Sequence, residues 1–306
     1  VRRPHDNFIV VVPEQYTMET QKKLVHMHSR KGILNIDVVS FERLAYKVFE
    51  ELGGGNRPVL DDTGKNLIVR RVLEKEKKKL DYFGSSIEKT GFVSELKSVI
   101  SELLQYGITP QQLGEIGENV KEKQQLSAKL KDIRLVYEEF MAFLSTNYIT
   151  SEEILDVLCG LVEKSKLIAG SEIIFDGFTG FTPIQYKLMR LLLVYSKGIK
   201  ISVTIDKKER PTGHEGWNNL FFMSKEMMNR LIAICEEEGI NVDDTVCVDR
   251  DINYRYEGAK DLAYLERNLF RYKGGVYTGT PENIRIYEGS NPKEELQYIV
   301  SEILQM

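Results

Sequence analysis

The chain has 306 residues, enough for one large domain or two ordinary ones with a substantial core. Its composition, 42% hydrophobic and 29% charged, argues against disorder. The net charge of −4 excludes binding to nucleic acid through overall charge, so any DNA contact must come from a local basic groove.

The chain opens with two units in which a strand leads into a helix. The apolar run FIVVV within residues 7–12 predicts a strand buried on both faces, and helix formers follow from Pro13. A second β-branched run at 36–39 leads into a helix with Ser40 at the N-cap position and glycines at 53–55 behind it. Strands that lead into helices in this way are typical of a parallel sheet.

A long helical stretch then interrupts the alternation of strands and helices. Residues 87–148 carry helical patterns throughout and no strand pattern. The sequence YITS at 148–151 is typical of a cap before a helix at 152–164. The basic run KEKKKLD at 75–81 is interpreted as a solvated helix face rather than a DNA contact.

The most informative stretch is EIIFDGFTGFTPIQYKLMRLLLV, at residues 172–194. An apolar run ends at Asp176, a turn with glycine follows, and Pro183 precedes a strongly apolar helical pattern. Open α/β sheets bind their ligands at the carboxyl ends of strands, and in P-loop ATPases a carboxylate there holds the magnesium of the nucleotide. The alternative interpretation of Asp176 is a turn residue or a helix-cap acceptor.

The remaining third of the chain continues with shorter elements. The alternating KISVTI at 200–205 predicts a strand that ends at Asp206, followed by a polar surface loop at 207–217. Further patterns predict helices at 219–238, at 261–270 and within NPKEELQYIVSEIL, and strands at 245–248 and 284–287. The GxxxxGK(S/T) phosphate loop does not occur in the sequence.

The cysteines and histidines do not form a recognisable ligand set in the sequence. Cys159, Cys235 and Cys247 are too far apart for a zinc or cluster motif, so buried or free thiols in a reducing cytosol are expected. His26 and His28 lie on different faces of a helix. The longest apolar runs are too short for a membrane span, and we expect a cytoplasmic protein with no metal site and no membrane partner.

Three linked stretches resemble known proteins. The string DGFTGFTPIQYKLMRLLL closely resembles the second motif of superfamily-one helicases of the UvrD and Rep kind, DEFQDTNPIQYxxxRLL. The stretches IVVVPEQYTMETQKKLV and GILNIDVVSFERLAYKVFEELGG resemble the beginning of AddB, the B subunit of AddAB-type bacterial helicase-nucleases. VLDDTGKNLIVRRVL at 59–73 fits the same family, so the matches extend from about Phe8 to Asp206.

The resemblance implies an α/β fold with a RecA-like (P-loop NTPase-like) parallel-sheet core and an all-helical insertion. It divides the chain into a first part of the core at 1–80, an insertion at 81–165, the remainder of the core at 166–280 and the start of a second helicase-like domain at 281–306. Because the chain begins with Val1 and stops within a helical pattern, we expect a piece of a longer protein.

The resemblance also implies where single-stranded DNA is contacted. Residues 13–17 and 40–43 correspond to helicase motifs that contact DNA, and strand-tip polar groups and exposed aromatic rings can hold phosphates and stack bases. The candidate DNA-binding residues are Gln15, Tyr16, Thr17, Ser40, Phe41 and Arg43. The alternative is that Tyr16 and Phe41 are core residues and that Ser40 is only an N-cap.

The resemblance also covers the nucleotide site of these helicases, where some positions match the motif and others lack the side chains that hydrolysis needs. Three residues correspond to its nucleotide and magnesium positions: Asp176, Gln185 and Asp206. However, Gly177 stands where the helicases have their catalytic glutamate, and Thr179 stands where they have a glutamine near the γ-phosphate. Glu209 replaces the nucleotide-sensing glutamine of GDxxQ. An ATPase needs a side chain that orients the attacking water, so we predict no catalytic residue in this stretch.

The family works with an AddA partner on double-strand DNA ends and prepares a tail for recombinational repair. The leading interpretation is therefore a non-hydrolysing module that guides or recognises DNA and docks the AddA partner. No cofactor is expected here, although the resemblance leaves room for ATP and magnesium in the parent complex and for an iron-sulfur cluster in its C-terminal region. Two alternatives stay open: an active ATPase whose phosphate loop lies upstream, with Glu209 as a weak substitute base, or a purely architectural subunit.

Overall fold

The computed structural model of the protein describes residues 6–53, 58–120, 122–206, 209–210, 212–213, 216–248, 254–270 and 274–306, without the side chains of 145–147 and 151–152. The chain forms two compact units, Val1–Asp243 and Asp244–Met306. No helix in these described ranges combines the length and the apolar character that a membrane span requires.

A four-stranded parallel sheet forms the centre of the first unit and confirms the predicted α/β class. The described strands are β1 (Asn7–Val11), β2 (Ile36–Val39), β3 (Val59–Leu60), β4 (Ile149–Thr150), β5 (Ser171–Phe175) and β6 (Gly198–Ile201). Hydrogen bonds set the order β2-β1-β5-β6, and each neighbouring pair is parallel. β3 and β4 form a separate parallel pair.

Several helices begin at the capping residues that the sequence provides. Ser40 accepts a hydrogen bond from the backbone N–H of Arg43, and Thr150 and Thr182 each start a helix with a capping box. The described helices are α1 (Thr17–Met27), α2 (Phe41–Leu52), α3 (Asp62–Glu76), α4 (Phe92–Gln105), α5 (Pro110–Asn119), α6 (Gln124–Asn147), α7 (Ser151–Cys159), α8 (Lys166–Ala169), α9 (Pro183–Tyr195), α10 (Phe222–Glu237), α11 (Lys260–Asn268) and α12 (Pro292–Gln305).

The main core lies between one face of the sheet and the helices that cover it. Ile9 and Val11 of β1 and Ile173 and Phe175 of β5 are at most 1% exposed, because alternate residues of a strand point to the same face. Leu188 of α9 packs in the same cluster. Each fully buried side chain of this kind contributes about 1.5–3 kcal/mol, so the sheet is held mainly by this face.

The helices α3 to α6 form a second cluster, whereas α7, which lies within the insertion predicted at 81–165, packs in the main core. The buried residues of the second cluster include Leu73, Val136 and Phe140. The β3–β4 pair brings the two ends of this region together by pairing Val59 with Ile149 and Leu60 with Thr150. The sequence analysis missed this pair, since strands of two residues are too short to show an alternating pattern.

A buried carboxylate fixes the turn behind α3. Asp132 of α6 is 1% exposed and accepts hydrogen bonds from the backbone N–H groups of Asp81, Tyr82 and Phe83, at 3.1, 2.8 and 2.9 Å. Buried backbone amides must be paired, and here one side chain satisfies three of them. Asp132 therefore ties the turn to the long helix of the insertion.

Three predicted strands differ from the structure. The strand expected at 200–205 starts at Gly198 and ends at Ile201. Residues 245–248 and 284–287 form no strand, and Val246 and Ile286 are 83% and 95% exposed. A β-branched run becomes a strand only beside a neighbour with free backbone groups, and the described part of the second unit provides none.

The helix expected at 152–164 ends at Cys159, before a short 3₁₀ turn at 162–164.

In the second unit, Asp261 joins the start of α11 to the segment before α12. Its carboxylate accepts hydrogen bonds from the backbone N–H groups of Asn283, Glu282 and Leu262 and from the side-chain amide of Asn283. These hydrogen bonds lower the pKa of Asp261 to about 2, and the bond from the backbone N–H of Asn283 has the largest effect. Tyr287 stacks on Tyr298 of α12, with ring centroids 3.9 Å apart.

The three cysteines are free thiols, as the sequence predicts; Cys159 and Cys235 are buried and Cys247 is exposed. Burial raises the pKa of the Cys159 thiol to about 11, so this thiol is protonated at neutral pH. Among the described residues, no group of three or more His, Cys, Asp and Glu side chains is placed to hold a metal ion.

Replacing Asp132 by alanine is expected to lower the free energy of unfolding by about 2–4 kcal/mol, because three backbone amides lose their acceptor. Urea denaturation followed by circular dichroism measures this change. The matched control is Asp81→Ala, which removes an exposed carboxylate paired with Lys131 and should cost about 0.5 kcal/mol or less. Equal effects of the two substitutions would show that Asp132 does not hold the turn.

Candidate functional site

The carboxyl ends of β2, β1 and β5 meet at one edge of the sheet. Val11 is paired with Val39 on one side and with Phe175 on the other. The pairing continues past the strands, because Val12 N–H donates to the carbonyl of Val39 at 2.9 Å and Asp176 N–H donates to the carbonyl of Val11 at 3.0 Å. The segments that begin at Val12, Ser40 and Asp176 therefore leave the sheet side by side.

Asp176 lies exposed at this edge, where the sequence places it. Its Oδ1 accepts a hydrogen bond from the hydroxyl of Ser202, which follows β6. Beside it is a pocket of about 200 Å³ lined by Val12, Tyr16, Glu19, Thr20, Lys23, Asp176 and Gly177. A hydrogen bond from Lys23 lowers the pKa of Glu19, which favours the charged carboxylate.

The glycine in the catalytic-glutamate position is required by the backbone. Gly177 has a φ of +80°, a conformation that side chains with a Cβ rarely adopt. A Cβ at this position would meet Cδ of Pro13 at 3.5 Å, which is an ordinary contact, so the obstacle is the backbone angle and not space. A glutamate therefore cannot be restored here without strain.

Gln185 takes part in the start of α9. Its side-chain oxygen accepts a hydrogen bond from the backbone N–H of Thr182 at 2.9 Å, and its own N–H donates to the Thr182 hydroxyl at 3.4 Å. This reciprocal pair is a capping box. The residue predicted to belong to a nucleotide site is thus engaged in starting a helix.

Asp206 and Glu209 lie in the loop that follows β6. The backbone N–H of Glu209 donates to the carbonyl of Asp206 at 2.9 Å. The carboxylate of Glu209 pairs with Lys225 of α10, whose side chain is only 2% exposed, and accepts from the amide of Asn219 at 3.3 Å. Glu209 anchors this loop to α10, a role that does not suit a substitute catalytic base.

Three of the six candidate DNA-binding residues face inward and take part in packing or capping. Thr17 and Ser40 are each 5% exposed; the Thr17 hydroxyl donates to the Glu14 carbonyl at 3.0 Å, and Ser40 caps α2. Phe41 is 8% exposed and packs against Phe175, Phe178 and Phe181, with centroid distances of 5.7, 5.4 and 6.0 Å. Phe41 is therefore part of an aromatic cluster in the main core, which is the alternative that the sequence analysis left open.

The other three candidates, Gln15, Tyr16 and Arg43, are exposed. Tyr16 is 46% exposed. Nε and Nη2 of Arg43 each lie 3.0 Å from Oε1 of Glu14, which holds the guanidinium beside the residues that precede α1. We call this exposed set, Gln15, Tyr16 and Arg43, the strand-tip surface.

Two residues of this edge were missed in the sequence analysis, Glu14 and Lys23. Glu14 orients Arg43 from 29 positions away, a contact that exists only because β1 and β2 are neighbours. Lys23 lines the pocket with Tyr16 and Asp176. Helical spacing from Tyr16 through Thr20 to Lys23 is a signal that could have identified it.

These observations define an α/β protein with a parallel sheet and a polar site at its carboxyl edge. The family described as "ADDB, N-terminal" matches residues 1–266 of the chain. The chain therefore belongs to the AddB family and corresponds to its N-terminal region.

Similar curated proteins are named as the B subunit of an ATP-dependent helicase/deoxyribonuclease. The protein from Lachnoclostridium phytofermentans is 40% identical over 100% of this chain and 27% of its own length. The proteins from Caldanaerobacter subterraneus subsp. tengcongensis and Clostridium perfringens are 36% and 31% identical, over 97% and 99% of this chain and 25% and 26% of theirs. The chain thus spans about a quarter of the length of these relatives.

Replacing Gly177 by alanine is expected to lower the free energy of unfolding by about 1–2 kcal/mol, the cost of a left-handed backbone with a Cβ. Gly177→Glu should be destabilised as well and show no ATP hydrolysis above the wild-type level. Chemical denaturation and a phosphate-release assay make these measurements.

The matched control for this prediction is Gly180→Ala in the same loop. Its added Cβ meets only the flexible end of Met223 at 3.6 Å, and its φ lies outside the left-handed region. This variant should keep the wild-type stability. Hydrolysis gained by Gly177→Glu would contradict the expectation that the Gly177 backbone bars a catalytic glutamate at this position.

Proposed function

We propose that this chain is a non-hydrolysing, DNA-guiding module of a helicase-nuclease complex, built on a RecA-like core. The observation that carries the proposal is the strand-tip surface, where an aromatic ring, an amide and a guanidinium are exposed side by side at the edge where α/β sheets bind ligands. The sheet order β2-β1-β5-β6, with Asp176 directly behind β5, supports the RecA-like assignment.

The chemistry of the strand-tip surface suits single-stranded DNA. A tyrosine ring offers a face on which a base can stack, which is worth about 1–3 kcal/mol per base. A guanidinium binds a phosphate with two parallel hydrogen bonds, and an amide donates to and accepts from base edges. Glu14 holds Arg43 in place before DNA arrives, which reduces the entropy lost on binding.

Two features favour DNA guidance over hydrolysis of ATP. Gly177 has no side chain to orient water and adopts a backbone conformation that disfavours a replacement. Glu209, the other carboxylate considered for this task, is engaged with the buried Lys225. Asp176 and Asp206 then serve as remnants of a nucleotide site, and any ATP and magnesium used by the parent complex bind elsewhere.

The names of the relatives suggest the setting in which such a module works. They describe one subunit of an ATP-dependent helicase and deoxyribonuclease, which supports an AddA-type partner and DNA as the substrate. We place the protein in the repair of double-strand breaks by homologous recombination in the cytoplasm. In this proposal the nuclease centre and any iron-sulfur cluster belong to other parts of the complex.

Replacing Tyr16 by leucine is expected to weaken binding of single-stranded DNA about five- to one-hundredfold, because a stacking platform is lost while apolar bulk is kept. Fluorescence anisotropy of the 306-residue chain with a labelled oligonucleotide measures the affinity. Tyr106→Leu is the matched control, since Tyr106 is 56% exposed on the helical insertion and should not contact the DNA.

A second pair of variants tests whether the loss of a positive charge weakens DNA binding only at the strand-tip surface. Arg43→Gln should weaken binding and make its salt dependence shallower by about 0.7 in log–log slope, the value for one phosphate contact on a single strand. Lys47→Gln, one turn further along α2, removes a cation paired with Asp37 and should change neither. Wild-type affinity in both Tyr16→Leu and Arg43→Gln would overturn the proposed site.

A further inference from the structure

One face of α1 and the turn behind it carry a local excess of positive charge. Residues 17–34 contain four cations, Lys22, Lys23, Arg30 and Lys31, and a single carboxylate, that of Glu19, in a chain whose net charge is −4. All four cations are exposed. This stretch therefore has the opposite sign to the chain as a whole.

Three of these cations are not neutralised by a neighbour. Lys23 pairs with Glu19 at 2.6 Å, whereas Lys22, Arg30 and Lys31 have no carboxylate partner among the described residues. The basic run at 75–79 behaves differently, because Lys75 pairs with Glu139 and Lys77 with Glu88. An uncompensated group of charges attracts an anion more strongly than a paired group does.

The turn behind α1 holds its charges in a defined arrangement. Lys31 N–H donates to the carbonyl of His28 at 2.9 Å, and the Lys31 ammonium donates to the carbonyl of His26 at 2.8 Å. Arg30 N–H donates to Nδ1 of His28 at 3.3 Å. The positive end of this face is thus part of a hydrogen-bonded turn.

This face is continuous with the strand-tip surface. α1 begins one residue after Tyr16, and Lys23 lines the same pocket as Tyr16 and Asp176. The 11 residues of α1 extend about 16 Å.

We propose that Lys22 of α1, together with Arg30 and Lys31 of the turn behind it, binds the phosphate backbone of the DNA that the strand-tip surface holds and leads it along the helix. The inference rests on the proposed function and adds the path of the DNA. Residues 17–34 contain no Phe, Tyr or Trp, so this face provides phosphate contacts and no stacking platform for bases. Its binding is therefore independent of base sequence.

The test replaces the three uncompensated cations together, as Lys22→Gln, Arg30→Gln and Lys31→Gln. We expect weaker DNA binding and a log–log salt slope shallower by about 2, because each phosphate contact on a single strand contributes about 0.7. The probes are labelled single-stranded oligonucleotides of two unrelated sequences, which should lose affinity equally. Anisotropy across a salt series gives the slope.

The matched control removes three exposed cations that are paired, as Lys77→Gln, Lys131→Gln and Lys187→Gln. Their partners are Glu88, Asp81 and Asp156, at 3.0, 2.9 and 2.6 Å. It changes the net charge by the same amount and should leave the salt slope as in the wild type. Thermal melts verify that both triple variants keep their fold.

The outcomes separate this inference from the proposed function. If the α1 variant and the control bind alike while Tyr16→Leu is weakened, the path along α1 is wrong and the strand-tip site stands. If the α1 variant is weakened and Tyr16→Leu is not, the path stands and the strand-tip site is wrong. Absence of DNA binding by the folded wild type overturns both.

A final arm tests a different partner for the same charges. If the wild type binds poly-L-glutamate more tightly than it binds DNA, and the α1 variant loses that binding, the face fits an acidic protein segment and the DNA path is overturned. Tighter binding to DNA supports the path.

Discussion

The parallel pairing of β1 between β2 and β5 is the constraint on which the site depends. It places the chain after Val11, Val39 and Phe175 at one edge, so that residues distant in sequence become neighbours. The Glu14–Arg43 pair exists only through this pairing. Burial of Ile9, Val11, Ile173 and Phe175 on one face provides the energy that holds the strands in this register.

Some polar residues at this edge hydrogen-bond to the backbone at helix starts, and others are exposed to solvent. Ser40 and Gln185 accept from backbone amides at helix starts, and Thr17 donates to the Glu14 carbonyl just before α1; leaving these backbone groups unpaired would be costly. Gln15, Tyr16 and Arg43 remain exposed. In the proposed function, this exposed surface guides DNA while another subunit supplies the motion.

The sequence was sufficient for the family, the α/β class and most helix starts, because these depend on local patterns such as Ser40 before an apolar helix. It was insufficient for the direction of side chains: a motif gives the position of Phe41 but not that three phenylalanines enclose it. The strands expected at 245–248 and 284–287 are absent from the described structure because a strand also needs a partner. The burial of Lys225 could not be predicted, because no sequence pattern distinguishes a buried lysine from an exposed one.

In the proposed function, DNA lies on the carboxyl edge of the sheet, and photocrosslinking can locate it there. Single-stranded DNA with a photoreactive thymine analogue at successive positions would be irradiated with the 306-residue chain, and the crosslinked peptides would be sequenced. We expect crosslinks within residues 14–18 and at Arg43. Crosslinks found only in the helical insertion or only beyond residue 243 would contradict this expectation.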